Sequence, residues 1–454
     1  MALSPDGGLV AAGFRPDGRA LVAKLDAEGA GVWGADGKGL ALDGITAITC
    51  LEPSADGGCF IAGTWSSDHS PRPEAQTLFL AAFDGRGNAL WRAFSQPFLR
   101  VGDAGEYRVD RLLPLADGGC LALGTAHERD GDQAWILRMR PGGSPAWTRR
   151  GQPGLCYRNG GGERLSAALQ LPDGGFLVLG RAGTDPAGLF YQPHGRSPET
   201  WKLGRPYNFV PMTGDGWMLR LDAEGHSLLD THGYGQGLLF SGTRFADAAL
   251  GPAGKVYLAG SVWISQDGGS AGALFVCDLR DPRSMNNLQP AGGISSRGVT
   301  LDNKIVATDG GGGFTRVFAT ADGGCLLVGR ACPGGSEALQ TWAVRFDGRG
   351  ESLTRSGIAL GRYLPEAKGL PLNLVTPDPA SGGWILSPRR ALPDTPLQLA
   401  RISDSGDLQP YGDPHPSPGD LSLAAPTPDR DGLRILGLGE AGPRLLRWKG
   451  PERR

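Results

Sequence analysis

The sequence predicts an all-β chain folded as a single β-propeller, most simply of eight four-stranded blades with seven as the alternative, and with an incomplete last blade. Three observations predict it. An Asp-Gly-Gly turn followed by a short apolar strand recurs at Asp56, Asp117, Asp173 and Asp322. Marking the second turn glycine or its equivalent gives Gly8, Gly58, Gly119, Gly175, Gly254, Gly324, Gly383 and Gly432, a mean period of about 61 residues, long enough for one supersecondary unit of an array. Between the marks, apolar residues alternate with period two and show no helical period.

Each unit reads in the same order. An apolar strand such as 45–51 or 109–115 comes first. The Asp-Gly-Gly turn follows, its glycine supplying the positive φ of a tight hairpin. The second strand runs from the residue after the turn to a glycine (Gly63, Gly124, Gly180, Gly329) read as its end. After a variable connection comes an alternating third strand, as in 78–83, 135–139, 217–221 and 342–346. A second turn begins at Asp26, Asp84, Asp222 and Asp347, and Trp33, Trp91 and Trp147 stand just beyond it or its equivalent. These tryptophans are expected to open the fourth strand and to pack neighbouring units together. The turns at 251–254 and 380–383 are degenerate copies.

Four short strands per unit, repeated radially, leave only short and protected sheet edges. The expected blades span about 1–40, 41–100, 101–160, 161–235, 236–300, 301–362, 363–418 and 419–454. The last unit has strands at 421–425, 433–438 and 444–448 and no length for a full fourth; the first has only residues 1–4 ahead of its turn. Either the last blade stays three-stranded or a strand upstream of Met1 completes it. Length alone would suggest about three domains, but a repeat that cannot bury its own apolar face overrides that prior.

Composition narrows the function classes. Hydrophobic residues make up 40 %, enough for a core; Gly 75 and Pro 35 come near the level of low complexity, but the glycines recur at fixed positions in the repeat, which argues for turns rather than disorder. The net charge of −2, with no basic stripe, argues against a nucleic-acid partner. No apolar run approaches the ~18 residues of a membrane span. No secretory signal opens the chain; the cysteines fit a reducing compartment slightly better than a disulfide-built secreted fold, so the cytoplasm is slightly favoured, with a periplasmic or extracellular location if an upstream signal has been removed. Cysteine numbers seven, and Cys59, Cys120 and Cys325 share one repeat position with Leu9, Phe176 and Leu433. That position reads as apolar packing, and no zinc or redox pattern is present.

The motif Asp-Gly-Gly-x-x-x-x-Gly, followed by Asp-x-x-Gly-x-x-x-Trp, resembles bacterial propellers with Asp-Gly-Gly repeats. It also resembles the quinoprotein-like superfamily, which includes quinone alcohol dehydrogenases and a propeller lipoprotein of outer-membrane assembly. The likeness is strongest over 50–180 and 315–355. It implies the fold and leaves the activity open. The adjacent cysteine pair of the quinone dehydrogenases is missing, as are the Gly-His and Trp-Asp marks of WD repeats.

In a four-stranded blade the first-to-second and third-to-fourth turns leave at one end, and all other connections at the opposite end. The first set is short throughout. The second holds the long stretches 66–76, 149–163, 182–214, 280–312 and 332–340, and long loops on a rigid scaffold are where binding residues lie. The insertion 183–214 carries Phe190, Tyr191, His194, Trp201, Arg205, Tyr207 and Phe209, aromatic and arginine residues of the kind that dominate interfaces. They form the expected contact site, with a miniature core within the insertion as the alternative. No catalytic or metal residues are assigned. Glu128, Asp130 and Asp132 lack the spacing of a calcium loop, and His226 and His232 lack that of a metal pair. The expected function is a non-enzymatic scaffold that binds a protein partner, without a cofactor. The alternative is a propeller enzyme that binds carbohydrate or quinone, where calcium or a quinone would be the cofactor.

Overall fold

The computed structural model describes residues 1–15, 17–66, 77–94, 106–128, 131–149, 152–157, 163–182, 215–228, 238–240, 243–263, 270–279, 305–306, 312–331, 340–348, 353, 358–359, 372–378, 383–388, 390–391, 396–403, 405–416, 421–423, 426–429, 432–439 and 442–449. They are all-β, with two short 3-10 turns and no α-helix among them. No described helix is long and apolar enough to cross a membrane. The chain divides into two compact units, Met1–Gly242 and Thr243–Arg454.

The first unit holds four antiparallel sheets, each of consecutive strands paired in chain order. Sheet one is Ala2–Leu3, Leu9–Phe14, Ala20–Leu25 and Leu40–Leu42. Sheet two is Ile45–Pro53, Cys59–Trp65, Thr77–Phe83 and Ala89–Phe94. Sheet three is Glu106–Pro114, Cys120–Glu128, Gly131–Met139 and Leu155–Tyr157, with a small ribbon of Thr148–Arg149 and Gln152–Pro153 before its last strand. Sheet four is Arg164–Gln170, Phe176–Ala182, Asp215–Leu221 and Leu238–Phe240.

The second unit repeats the pattern. Sheet five is Thr243–Leu250, Lys255–Trp263, Ser270–Asp278 and Ile305–Val306; sheet six is Gly312–Ala319, Cys325–Ala331, Gln340–Phe346 and Ile358–Ala359. Sheet seven is Leu372–Pro377, Trp384–Pro388, Leu397–Ile402 and Leu408–His415. In sheet eight, Leu421–Leu423 and Thr427–Asp429 pair with successive parts of Gly432–Gly439, which pairs in turn with Gly442–Lys449. A two-residue strand from sheet seven's second connection, Arg390–Ala391, adds to Leu421–Leu423. The sequence shows no signal for that strand. Residues ahead of the first turn do form a strand: Ala2 and Leu3 pair with Val10 and Leu9.

Within each unit, consecutive sheets stack face to face, and one core lies between each pair. In the second strand of sheet two, Cys59 and Ile61 join the core shared with sheet one, whereas Phe60 and Ala62 join the core shared with sheet three. Sheet three divides the same way, with Cys120 and Ala122 toward sheet two and Leu121 and Leu123 toward sheet four. Within the second unit, sheets five and six, six and seven, and seven and eight share cores in turn. A strand buried on both faces reads as a continuous apolar run, which is why the second strands are Cys-Phe-Ile-Ala and Cys-Leu-Ala-Leu. The cysteine at the repeat position is apolar packing: Cys59, Cys120 and Cys325 are at most 1 % exposed, and burial pushes each thiol up to about 12. Such thiols are inert.

One expectation is corrected. The glycine read as the end of the second strand lies inside it: Cys120–Glu128 runs on past Gly124, and Phe176–Ala182 past Gly180. The glycine is there because the facing first strand bulges. The register slips at Thr49, Asp110, Ser166, Ala246 and Thr315, each next to the residue that faces Gly63, Gly124, Gly180, Gly260 or Gly329. A β-bulge brings backbone close on one side. A Cβ on Gly124 or Gly260 would lie 1.9 Å from the carbonyl of Arg108 or Arg244.

Candidate functional site

The two ends of the sheets differ in what their polar groups do. At the tight-turn end, one oxygen of each turn aspartate accepts the N–H of the second turn glycine: Asp6 from Gly8, Asp56 from Gly58, Asp117 from Gly119, Asp173 from Gly175 and Asp322 from Gly324, at 2.8–3.1 Å. The other oxygen meets a cation from the third strand in several sheets. Lys24 pairs with Asp6 at 2.5 Å, Arg138 with Asp117 at 3.0 Å and Arg345 with Asp322 at 2.7 Å; Arg220 pairs likewise with Asp173. In sheet seven, whose turn has no such aspartate, Arg401 pairs at 3.0 Å with Asp378, the residue after the first strand. Burial alone would raise the Asp322 carboxyl. Hydrogen bonds from Thr320, Gly324 and Arg345, with the Arg345 charge, outweigh it and hold the carboxyl below its ordinary value.

The same cations tie one sheet to the next. Lys24 donates to the Gly57 carbonyl at 2.7 Å, and Arg138 to that of Ala223 at 2.6 Å. Tryptophan does likewise: Trp33 Nε1 donates to Gly85 at 3.0 Å and Trp147 Nε1 to Ala223 at 3.1 Å, each in the following sheet. In the second unit, Lys255 Nζ donates to Gly348 at 3.3 Å and the Tyr257 hydroxyl to Gly323. The tryptophans therefore pack neighbouring units, as the repeat predicts. They do not all open a fourth strand. Trp91 lies inside Ala89–Phe94, but Trp33 precedes a 3-10 turn and Trp147 precedes the small ribbon. His226 belongs to this end as well; its N–H and Nδ1 both meet Asp222, at 2.7 and 3.0 Å.

The opposite end carries the connections 66–76, 183–214 and 332–339, but the expectation that every long stretch lies there is corrected: 140–154, 222–237 and 279–304 join third to fourth strands in sheets three, four and five and so leave from the tight-turn end, because the fourth strands begin later in the chain than their spacing suggests. Phe190, Tyr191, His194, Trp201, Arg205, Tyr207 and Phe209 lie outside the described residues, as does His232. Of the acidic run, Asp130 lies outside them too. His127 to Glu128 and Gly131 to Asp132 pair directly, so the run is the tip of a hairpin between the second and third strands of sheet three. Among the described residues no group of three or more His, Cys, Asp or Glu side chains could hold a metal ion.

The described part of this end shows a feature absent from the sequence reading. Counting back two residues from the first-strand bulge gives Arg108 in sheet three, Arg164 in sheet four and Arg244 in sheet five, all exposed. Arg111, one residue past its bulge, is also exposed. Arg108 meets Asp110 at 2.9 Å, and Thr125 donates to that carboxylate at 3.2 Å. In sheet four, Arg164 stands directly across the strand pair from Arg181. The shared position is invisible until the bulges are known, because each bulge shifts the alignment of first strands by one residue.

No family model matches the chain and no curated protein matches it. Among solved structures, it is similar to the β-propeller domain of the Trilobed protease from Pyrococcus furiosus, at 10 % identity over 90 % of this chain and 94 % of that one, with a TM-score of 0.44. It is similar to the WD40 domain of SCAP from fission yeast, at 10 % identity over 99 % and 95 %, with a TM-score of 0.41. The polysaccharide lyase Uly1 gives 10 % identity over 90 % of both chains and a TM-score of 0.44. Likenesses of this size decide neither activity nor blade number.

Proposed function

We propose that the chain is a non-enzymatic β-propeller scaffold of eight blades, the last lacking its fourth strand, which binds a protein partner through the long connections at one end. The observation that carries this reading is the division of labour between the ends. At the tight-turn end, turn aspartates, third-strand cations and indoles hold hairpins closed and tie each sheet to its neighbour. The longest connection within the first unit, 183–214, falls at the other end, between Phe176–Ala182 and Asp215–Leu221, where a loop can vary without disturbing those ties. The face-to-face stacking of consecutive sheets over separate cores supports the propeller reading within each unit.

Replacing residues 183–214 by a short Gly-Ser linker tests the proposal. Affinity capture with the tagged full chain from its native source should yield a partner, and the linker variant should lose it while unfolding at the same temperature. Undiminished capture by that variant would overturn the contact role of Phe190, Tyr191, His194, Trp201, Arg205, Tyr207 and Phe209.

A further inference from the structure

The fourth strands of sheets one to seven make poor templates for another chain. In sheets one, three, four, five and six the fourth strand is only two or three residues long. In sheet two it is longer, but its pairing slips at Leu90. In sheet seven the pairing also slips, and the strand carries Pro410 and Pro414. Short, bulged or proline-bearing edges resist the addition of a further strand.

Sheet eight lacks these devices. Its third strand, Gly442–Lys449, pairs with Gly432–Gly439 over its whole length without a break in register. Among the described residues nothing pairs along its other side. In sheets one to six that side of the third strand is covered. Leu21, Phe79, Trp135, Trp217, Ala273 and Trp342 face the second-strand glycine, as Arg444 faces Gly437, and each has a fourth-strand partner. A strand in an antiparallel sheet turns alternate N–H and C=O groups to each side, so this edge presents a straight row of main-chain donors and acceptors. The strand is also held firmly without an addition, since Leu446 and Trp448 lie in the core shared with sheet seven.

The residues of the strand select what fits it. Gly442–Lys449 contains Arg444, Arg447 and Lys449 and no acid. Like charges set opposite across an antiparallel pair are destabilising and opposite charges stabilising. A second copy added edge to edge would bring this cationic strand against itself. An acidic strand meets the opposite charge. The backbone supplies the bonds, whatever each cation meets within the chain, and the summed charge of the strand selects the partner.

We propose that the outer edge of Gly442–Lys449 accepts an added antiparallel strand from a protein partner: an extended, proline-free segment with acidic residues at alternate positions, bound through main-chain hydrogen bonds as a fourth strand of sheet eight. The edge involves none of residues 183–214, and the proposal stands whether or not that insertion binds a partner.

Fluorescence polarisation of the full chain with a labelled octapeptide of alternating glutamate and valine tests the proposal. Binding is expected, and replacing every glutamate by lysine should weaken it about fivefold or more, on the scale of several cross-strand charge pairs. Two N-methylated peptides test the mode of binding. A strand docked along one edge uses the N–H of every second residue, and the acidic and apolar faces fix which set points inward. Methylating one alternate set should weaken binding about tenfold or more, as the loss of several hydrogen bonds does, and methylating the other should change it less than about threefold. Equal effects of the two sets would overturn the proposal, as would no binding by the parent chain. A variant in which a two-residue turn and the same eight residues follow Lys449 fills the edge from within. It should melt no lower than the parent and should no longer bind the free peptide; undiminished binding would overturn the location. Dimerisation of the parent chain that the filled variant loses would give the edge to a second copy and overturn the acidic partner.

Discussion

Gly118 and Gly119 sit side by side in one Asp-Gly-Gly turn and answer different demands. The first turn glycine has a positive φ, 83° at Gly118 and 81° at Gly323, a region L-residues rarely occupy. The second is not left-handed; a Cβ there would strike the carbonyl that ends the third strand, at 2.3 Å from Met139 for Gly119 and 1.9 Å from Phe83 for Gly58. The bulge-facing glycine is a third case, also set by close approach. Gly124→Ala should therefore destabilise the chain by about 2 kcal/mol or more, as overpacking against backbone does. Gly142→Ala, with nothing within 4 Å of its added carbon, should stay within about 0.5 kcal/mol; urea midpoints of the two variants check this. Equal midpoints would remove the bulge as the reason for the glycine. The aspartates make a second residue-level prediction. Asp6 and Asp322 have folded pKa values below the ordinary 3.8. The stability they contribute is fully present above that ordinary value and is lost as pH falls through their lowered folded values. Asp322→Asn should flatten the fall of melting temperature between about pH 4 and pH 2 relative to the wild type. An unchanged acid limb would show that the Arg345 pair contributes nothing.

Between sheets, the indole ties can be weighed against one another because one of the three tryptophans lacks its bond. Trp33 and Trp147 donate to a carbonyl of the next sheet, whereas Trp91 Nε1 is buried with no acceptor. All three lie against the turn of the following sheet, beside Gly87, Gly143 and Gly225, but Trp33 and Trp147 are buried and Trp91 only partly so. Trp147→Phe should therefore cost at least about 1 kcal/mol more than Trp91→Phe, since it loses a hydrogen bond as well as a more deeply buried ring. Equal losses in chemical denaturation would show that the indole bond contributes nothing. This layer was partly legible in the sequence. The tryptophan spacing marks an inter-unit contact, and the turn motif marks the hairpins. The third-strand cations were legible only as polar members of an alternating strand; what they reach depends on the neighbouring sheet. The bulges left a trace as well, in Gly63, Gly124, Gly180 and Gly329, but the trace reads as a strand end because a glycine weakens a strand from the viewpoint of a single chain. The arginine position follows from the bulges and was hidden with them.

At the scale of the whole molecule, the period of the Asp-Gly-Gly turn was enough to foresee consecutive antiparallel sheets of about four strands, since each is built from neighbours in sequence, except for Arg390–Ala391 added to sheet eight. The site was not legible to the same degree. A repeat reports what every unit must share, and binding residues are by nature those that the units do not share. Sequence can therefore point to the insertion-bearing end and to Trp201 or Arg205 as candidates, without saying what meets them. The scaffold and the ligand-binding alternatives differ in one measurable respect. A small molecule that binds the native chain and not the unfolded one raises stability by RT ln(1 + [L]/Kd), about 2.7 kcal/mol at a hundredfold excess over Kd. Thermal unfolding with calcium, a soluble quinone and a set of oligosaccharides, each at millimolar concentration, should then leave the melting temperature within about 1 °C if the chain is a scaffold. A rise of several degrees with any one of them would overturn that reading in favour of a ligand-binding propeller. The linker variant would locate the effect: a rise that survives loss of residues 183–214 comes from the sheets themselves, and one that disappears comes from the insertion.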